Sequence, residues 1–211
     1  IAPDLPSHGD DETPANSVNF NDYVTTITNV LNTQDEKVIL LGHSMAGIPI
    51  STAAEHLPAK ISCLVYLAAI LARSGESLFS IEQANLHSSR LPESLVISKD
   101  RMTAMVQENV ITDLFYHDCT DEDVEYAKDR LKPQALEIFN TVLELSEDNY
   151  GSIPRNYVQC LDDRANYPKF QQAMISASPC ESVFSINSSH SPFFSQPKKL
   201  ADILSEIAEK Y

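Results

Sequence analysis

Basic residues are scarce in this sequence. Lysine and arginine together number 15 against 30 aspartates and glutamates in 211 residues, which gives a formal net charge of -15. A surface with this balance repels polyanions at long range. The composition therefore disfavours nucleic acids and anionic membranes as partners, whereas it leaves the approach of a neutral small molecule unaffected.

Closely spaced cysteines and long apolar runs are also absent. The four cysteines, Cys63, Cys119, Cys160 and Cys180, include no C-x-x-C pair, so neither a zinc knuckle nor a redox motif is indicated. The longest nearly unbroken apolar run, residues 61–72, is shorter than the roughly 20 residues that a membrane-spanning helix needs. We expect a soluble cytoplasmic protein that uses no metal and no organic cofactor.

The order of the apolar patterns indicates an α/β protein. Apolar runs at 38–41 and 61–71 are typical of buried strands, and residues 47–57 between them show helical spacing before a proline. A strand, a helix and a strand in succession predict a parallel sheet. The further predicted elements are a helix over 20–31, strands over 153–160 and 183–186, and helices over 170–175 and 197–211. We predict one doubly wound α/β domain, residues 1–211, with its core in 1–72 and 151–211.

Residues 73–150 interrupt this alternation. Helical spacing occurs at 101–110, 121–131 and 133–145, and no core strand is evident. We therefore predict a helical cap inserted into the domain. Its acidic cluster around residues 118–123 could bind a cation, but Thr120 followed by Asp123 is more typical of a helix N-terminus with its capping residues.

The most informative segment is Val38-Ile39-Leu40-Leu41-Gly42-His43-Ser44-Met45-Ala46-Gly47. An apolar strand runs into a tight turn of small residues with a serine at its centre, and a helix follows. This context is typical of a nucleophile elbow, whose usual pattern is G-x-S-x-G; here alanine occupies the fifth position and glycine the sixth. We predict Ser44 as a nucleophile, with the backbone N–H of Met45 as an oxyanion donor.

A nucleophile of this kind needs a base and an acid, which follow it in the order Ser, Asp, His after later strands. His190 follows the strand predicted over 183–186, and Asp163 follows the one over 153–160. We predict that His190 takes the Ser44 proton while Asp163 orients the imidazole. Asp162 competes for the acid role, and spacing alone does not decide between the two. We expect His43 to line the pocket and the remaining histidines to be surface or packing residues: His8, His56, His87 and His117.

Several stretches together resemble a known family, the α/β-hydrolases grouped with plant methyl esterases, hydroxynitrile lyases and bacterial esterase relatives. The resemblance covers almost the whole chain. It is carried by Ala2-Pro3-Asp4-Leu5-Pro6 with His8-Gly9, by Gly42-His43-Ser44-Met45, by Leu64-Val65-Tyr66-Leu67-Ala68-Ala69, by Tyr150-Gly151-Ser152-Ile153-Pro154-Arg155 and by His190-Ser191-Pro192-Phe193-Phe194-Ser195-Gln196-Pro197.

The resemblance implies an α/β-hydrolase fold and places the acid at Asp163, by alignment of Cys160 and Phe170-Gln171 with the family's pattern. Family members begin with a strand and a His-Gly loop that supplies a second oxyanion donor. No such segment is present before Ile1. We therefore expect the native protein to be longer by a few tens of residues.

These observations predict a serine esterase that cleaves a small, hydrophobic carboxylic ester. Two alternatives stay open: a hydroxynitrile lyase, although such lyases have lysine after the catalytic histidine where this chain has Ser191, and a small-molecule sensor. For partners we expect an ester substrate and allow for a homodimer. The cap offers apolar residues for a pocket over Ser44: Leu78, Phe79, Leu86, Met102, Met105, Leu114, Phe115 and Tyr116.

Overall fold

The computed structural model describes residues 1–85 and 89–211, so the predictions for Leu86 and His87 lie outside the described residues. The strands are β1 (Val38–His43), β2 (Ile61–Leu67), β3 (Leu95–Ile97), β4 (Thr103–Val106), β5 (Gln134–Ala135), β6 (Arg155–Cys160) and β7 (Ser182–Ile186). The helices are α1 (Phe20–Asn32), α2 (Gly47–His56), α3 (Leu78–Ala84), α4 (Ile111–Phe115), α5 (Asp121–Lys128), α6 (Glu137–Asn140), α7 (Pro168–Ala177), α8 (Pro192–Ser195) and α9 (Pro197–Ala208).

The main sheet has the order β1-β2-β6-β7, and all its neighbouring strands are parallel. In β2, Val65 lies opposite Leu41 of β1 and opposite Asn156 of β6. Helix α2 connects β1 to β2, the cap connects β2 to β6, and α7 connects β6 to β7, so each crossover returns the chain to the same end of the sheet, as a parallel arrangement requires. The predicted α/β architecture with a parallel sheet is confirmed.

Both faces of this sheet are covered. Alternate residues of a strand point to opposite faces, and in β2 Leu64 and Tyr66 pack on the side of α1, α2 and α7. Val65 and Leu67 pack on the other side against α9. The side chains that α9 buries, Leu200, Ile203 and Ile207, form a stripe at helical spacing. This two-sided burial explains why β2 reads as an almost continuous apolar run in the sequence.

The β2 strand ends earlier than the sequence predicts. Hydrophobicity continues to residue 71, but Leu67 is the last strand residue, and Ala68 has a φ of 44°. A positive φ in a residue with a Cβ turns the chain out of the sheet. Residues 69–72 are nevertheless buried. Hydrophobicity alone therefore does not locate the end of the strand.

The cap is less helical than predicted. It contains α3, α4, α5 and α6, but also a small sheet in which β3, β4 and β5 are antiparallel neighbours. The helix predicted over 101–110 is wrong, because Ser98 and Thr103 close a hairpin and Arg101 in its turn has a φ of 60°. The capping prediction is confirmed: the Thr120 hydroxyl accepts a hydrogen bond from the Asp123 N–H, 3.2 Å away, at the start of α5.

The Glu55 carboxylate on α2 binds the last residues of the cap by hydrogen bonds. It accepts hydrogen bonds from the N–H and hydroxyl of Ser146 at 2.8 and 2.7 Å, from the Asn149 amide at 3.0 Å and from the Tyr150 N–H at 3.2 Å. Burial raises the pKa of Glu55, but these hydrogen bonds outweigh it, so that the pKa lies below its ordinary value.

A pH-dependent contribution to stability follows from this lowered pKa. The carboxylate stabilises the fold above the pKa of the unfolded chain, and the contribution is lost as the pH falls through the folded-state pKa. We expect Glu55→Gln to be less stable than the wild type at neutral pH, and the gap to narrow below about pH 4. Thermal unfolding between neutral and acidic pH measures this, with the exposed Glu144→Gln as control. A gap that does not change with pH would contradict the assignment.

The fold determines where polar residues meet. Because the main strands are parallel, the residues that follow β1, β6 and β7 lie along one edge of the sheet. Ser44, Asp163 and His190 come from these three connections. No helix within the described part of the chain is long and apolar enough to span a bilayer, and the cytoplasmic location stays a prediction.

Candidate active site

Ser44 is held in a strained turn between β1 and α2. Its φ is 55°, a conformation that costs a residue with a side chain of the order of 1–3 kcal/mol and persists only when its surroundings impose it. The Ile70 N–H donates a hydrogen bond to the Ser44 carbonyl at 2.9 Å, which ties the turn to the residues after β2. This is the geometry expected of a nucleophile elbow.

Close packing explains the small residues around Ser44. A Cβ on Gly47 would lie 2.1 Å from the carbonyl oxygen of Ile70, and one on Gly42 would lie 2.8 Å from the carbonyl oxygen of Ala46. Ala46, at the position where the usual pattern has glycine, has a helical φ of -62° and is partly exposed. The close approach therefore occurs one residue later than in the usual pattern, at Gly47.

Adding one methyl group at Gly47 should disturb this turn. We expect Gly47→Ala to lower the free energy of unfolding by about 1–3 kcal/mol, because a backbone carbonyl cannot move aside as a flexible side chain can. Ala46→Gly, one residue away, is the control, and its effect should stay below about 1 kcal/mol. Urea unfolding of both variants measures the difference. Equal stability of Gly47→Ala and the wild type would show that the contact with Ile70 is not restrictive.

His190 lies between Ser44 and Asp163. Its Nε2 is 2.8 Å from the Ser44 Oγ, and its Nδ1 is 2.7 Å from the Asp163 Oδ2. The side chain is only 3% exposed. A carboxylate can only accept, so the hydrogen resides on Nδ1, and Nε2 of the neutral ring accepts from the Ser44 hydroxyl. The three predicted residues therefore form one chain of hydrogen bonds.

The Asp163 carboxylate is fully buried, and both of its oxygens accept hydrogen bonds. Its Oδ1 accepts hydrogen bonds from the N–H groups of Ala165 and Asn166 at 2.8 and 2.9 Å. Its Oδ2 accepts from His190 and from the Gln171 amide, 3.2 Å away. These donors satisfy the buried carboxylate and fix its orientation.

Asp162, the alternative acid, points elsewhere. Its side chain is 67% exposed and lies 3.1 Å from the Nε2 of His117. Consecutive residues in a turn aim their side chains in different directions, which the sequence does not reveal. Of the two candidates, the structure brings only Asp163 to His190.

His43 packs against His190 and hydrogen-bonds to its backbone. Its Nε2–H donates to the His190 carbonyl at 2.8 Å, and the two rings lie 4.6 Å apart. Burial, together with the charge that His190 can carry, lowers the pKa of His43 to about 3. His43 is therefore neutral at physiological pH and adds no positive charge beside His190. Its predicted role in lining the pocket stays a prediction.

One aromatic side chain of the cap, Phe115, lies close to His190. The Phe115 ring lies 5.4 Å from the His190 ring. Phe115 also lines a cavity of about 210 Å³ with Met105, so two of the predicted pocket residues meet there. The remaining lining residues are His8, Leu91, Leu95, Ala104, Val106, Arg130, Leu131, Lys132, Gln134 and Phe139.

Sequence patterns missed two polar residues beside Asp163, namely Asn166 and Gln171. Gln171 lies on the buried face of α7 with Phe170, Met174 and Ile175. A polar residue at a core position of an amphipathic helix is the signal that could have identified it, since a buried amide needs hydrogen-bond partners.

Residues 1–203 match the model of the family described as the alpha/beta hydrolase family. The chain belongs to the α/β-hydrolase family. This α/β-hydrolase is 34% identical over 209 residues to putative methylesterase 11, chloroplastic, of Arabidopsis thaliana, which covers 92% of the chain and 54% of that relative. It is 30% identical over 191 residues to salicylic acid-binding protein 2 of Nicotiana tabacum, covering 84% and 72% of the two chains.

The chain thus spans about half the length of the first of these relatives. Among solved structures, it resembles a pyrethroid hydrolase from Sphingobium faniae JZ-2 with a TM-score of 0.89 and 26% identity, over 99% of this chain and 85% of that one. It also resembles polyneuridine aldehyde esterase with a TM-score of 0.85 and 25% identity, over 97% and 86% of the two chains. The predicted resemblance to plant methyl esterases is confirmed.

Proposed function

We propose that this α/β-hydrolase cleaves a small carboxylic ester through an acyl-enzyme on Ser44. The observation that carries the proposal is the chain of hydrogen bonds from Ser44 through His190 to Asp163, at 2.8 and 2.7 Å. Nucleophile, base and acid partner within hydrogen-bond reach of each other constitute the arrangement that activates a serine. Relatives named as methylesterases support ester hydrolysis as the reaction.

In the first half-reaction the Ser44 Oγ bonds to the ester carbonyl carbon while its proton moves to the Nε2 of His190. The carbonyl oxygen becomes an oxyanion, for which the backbone N–H of Met45 is the proposed donor. When the bond to the alcohol oxygen breaks, His190 returns the proton to that oxygen. The alcohol leaves, and the acyl group stays on Ser44.

In the second half-reaction His190 takes a proton from water, whose oxygen attacks the acyl carbon. The bond to the Ser44 Oγ breaks, the proton returns to Ser44, and the carboxylic acid leaves. Asp163 offsets the positive charge that His190 carries in both steps. Because His43 is neutral, it does not oppose that charge.

The cavity beside Phe115, whose ring lies 5.4 Å from the His190 ring, supports a hydrophobic substrate. The cavity that Phe115 lines is bounded mainly by apolar side chains, and the net charge of -15 repels anions at long range. Since several relatives are named methylesterases, methyl esters of hydrophobic or aromatic acids are the substrate class that we propose to test after p-nitrophenyl esters.

The proposal is tested with the wild-type chain, p-nitrophenyl butyrate and a fluorophosphonate probe. Turnover is expected together with covalent phosphonylation of one serine, and peptide mass spectrometry should locate the modification at Ser44. A modification confined to another serine would contradict the assigned nucleophile. Absence of both turnover and labelling in a folded sample would contradict the esterase proposal and favour a role as a small-molecule sensor.

A further inference from the structure

The side-chain amide of Gln171 lies completely buried behind the acid of the proposed site. Its Oε1 accepts a hydrogen bond from the Cys160 N–H at 3.1 Å. Its Nε2 lies 3.1 Å from the Cys160 carbonyl, 3.2 Å from the Asp163 Oδ2 and 2.7 Å from the Asn166 carbonyl. One side chain on α7 therefore contacts the end of β6, the acid and the residue that closes the acid loop.

The number of acceptors exceeds what this amide can serve separately. An NH₂ group has two hydrogens, so the three acceptors around Nε2 share them. The short contact to Asn166 takes one hydrogen, and the two longer contacts, to Cys160 and Asp163, share the other. Gln171 therefore acts on Asp163 both directly and by holding the backbone on either side of it.

Asn166 extends this arrangement towards the nucleophile. Its N–H donates to the Asp163 Oδ1 at 2.9 Å, and its side-chain amide donates to the Ala68 carbonyl at 3.1 Å. Ala68 is the strained residue at the end of β2 with a φ of 44°. Two residues later the Ile70 N–H holds the Ser44 carbonyl. The acid loop and the nucleophile turn are thus attached to the same short segment, residues 68–70.

We propose that Gln171 is a positioning residue that, together with Asn166, fixes the Asp163 carboxylate towards His190 and sets the distance of the acid loop from the Ser44 turn. The inference rests on the proposed function, because it assigns a role within the same site. A carboxylate whose two oxygens are held by Ala165, Asn166 and Gln171 cannot rotate, so its remaining acceptor direction points at His190. Misplacement of a catalytic group by about 1 Å can lower a rate by about 10²-fold.

The test compares Gln171→Met with Gln172→Met. Methionine has a similar length but no donor or acceptor of comparable strength, and Gln172 is the exposed neighbour on the same helix. For p-nitrophenyl butyrate we expect Gln171→Met to lower kcat by about 10²-fold with KM unchanged. Gln172→Met should retain both constants. Thermal unfolding of each variant shows whether the fold is retained.

A second readout does not depend on turnover. The proton on the His190 Nδ1 that is shared with Asp163 gives a strongly downfield proton NMR resonance, which Asp163→Asn should abolish. We expect this resonance to move and broaden in Gln171→Met and to stay unchanged in Gln172→Met. Wild-type kcat together with an unchanged resonance in folded Gln171→Met would overturn the positioning role.

If Gln171→Met does not fold, Gln171→Leu replaces it. Leucine fills most of the same space but carries neither a donor nor an acceptor. It should show the same loss of kcat and the same displaced resonance, and wild-type values would again overturn the proposal. Failure of the esterase proposal is recognised separately, because the wild type would then show neither turnover nor labelling of Ser44.

Discussion

Ser44→Ala should lower kcat for p-nitrophenyl butyrate by about 10⁶-fold, as when other serine hydrolases lose their nucleophile. The expected loss is this large because the Ser44 Oγ forms the covalent bond of the proposed acyl-enzyme and no other hydroxyl is seen within hydrogen-bond distance of the His190 Nε2 among the described residues. End-point assays at high protein concentration measure this loss in kcat. Labelling by the fluorophosphonate probe should disappear in the same variant.

Ser176→Ala provides the matched control, since Ser176 is an exposed serine on α7 and should retain wild-type kcat and labelling. Comparable activity of Ser44→Ala and the wild type would reject Ser44 as the nucleophile. Alanine, like serine, has a Cβ, so the conformational cost of the positive φ at residue 44 should be the same in both. The replacement should therefore leave the turn and the free energy of unfolding almost unchanged.

The second large effect is expected from Asp163→Asn, which should lower kcat by about 10⁴-fold. Asparagine keeps the shape of the side chain, but its NH₂ group can donate to the His190 Nδ1 and so favour the tautomer with hydrogen on Nε2. That tautomer cannot accept the Ser44 proton, and the positive charge on His190 is no longer offset. Steady-state kinetics at neutral pH measures the loss.

Asp162→Asn serves as the comparison. Asp162 is exposed and pairs with His117, so we expect kcat to stay close to the wild-type value. Should Asp162→Asn instead show the larger loss, the acid would be misassigned. Comparable small effects of both substitutions would mean that His190 does not rely on a carboxylate.

The sequence predicts the helices and strands that bury a continuous apolar stripe, but it does not predict the short strands of the cap. Strands β1 and β2 and helices α2 and α9 follow from apolar periodicity, because each buries a continuous stripe or run against one core. The hairpin at Ser98 and Thr103 does not, because its strands are short, only partly buried and positioned by a turn with positive φ at Arg101. Short strands at the surface carry little periodicity of their own, and the pattern over 101–110 favours a helix that the chain does not form.

The candidate site divides in the same way. The order of Ser44, Asp163 and His190 along the chain, and their positions after strands, are properties of the sequence, because a parallel sheet brings such positions to one edge. By contrast, the choice of Asp163 over Asp162 by geometry depends on side-chain direction in a turn. The contacts of Gln171 and Asn166 with Asp163 lie within the one segment that follows β6, but they depend on side-chain direction and burial, which sequence patterns do not specify.

The sequence by itself therefore determined the α/β class, the turn at Ser44 and the identity of the catalytic candidates, because these depend on local periodicity and on the chain order of the motifs. Only the tertiary structure decided which of the two aspartates contacts His190, the mixed character of the cap, the neutral state of His43 and the buried amides that hold Asp163. These features arise from burial, from the direction of side chains in turns and from hydrogen bonds such as that between Asp163 and His190. Such contacts exist only once the chain has folded.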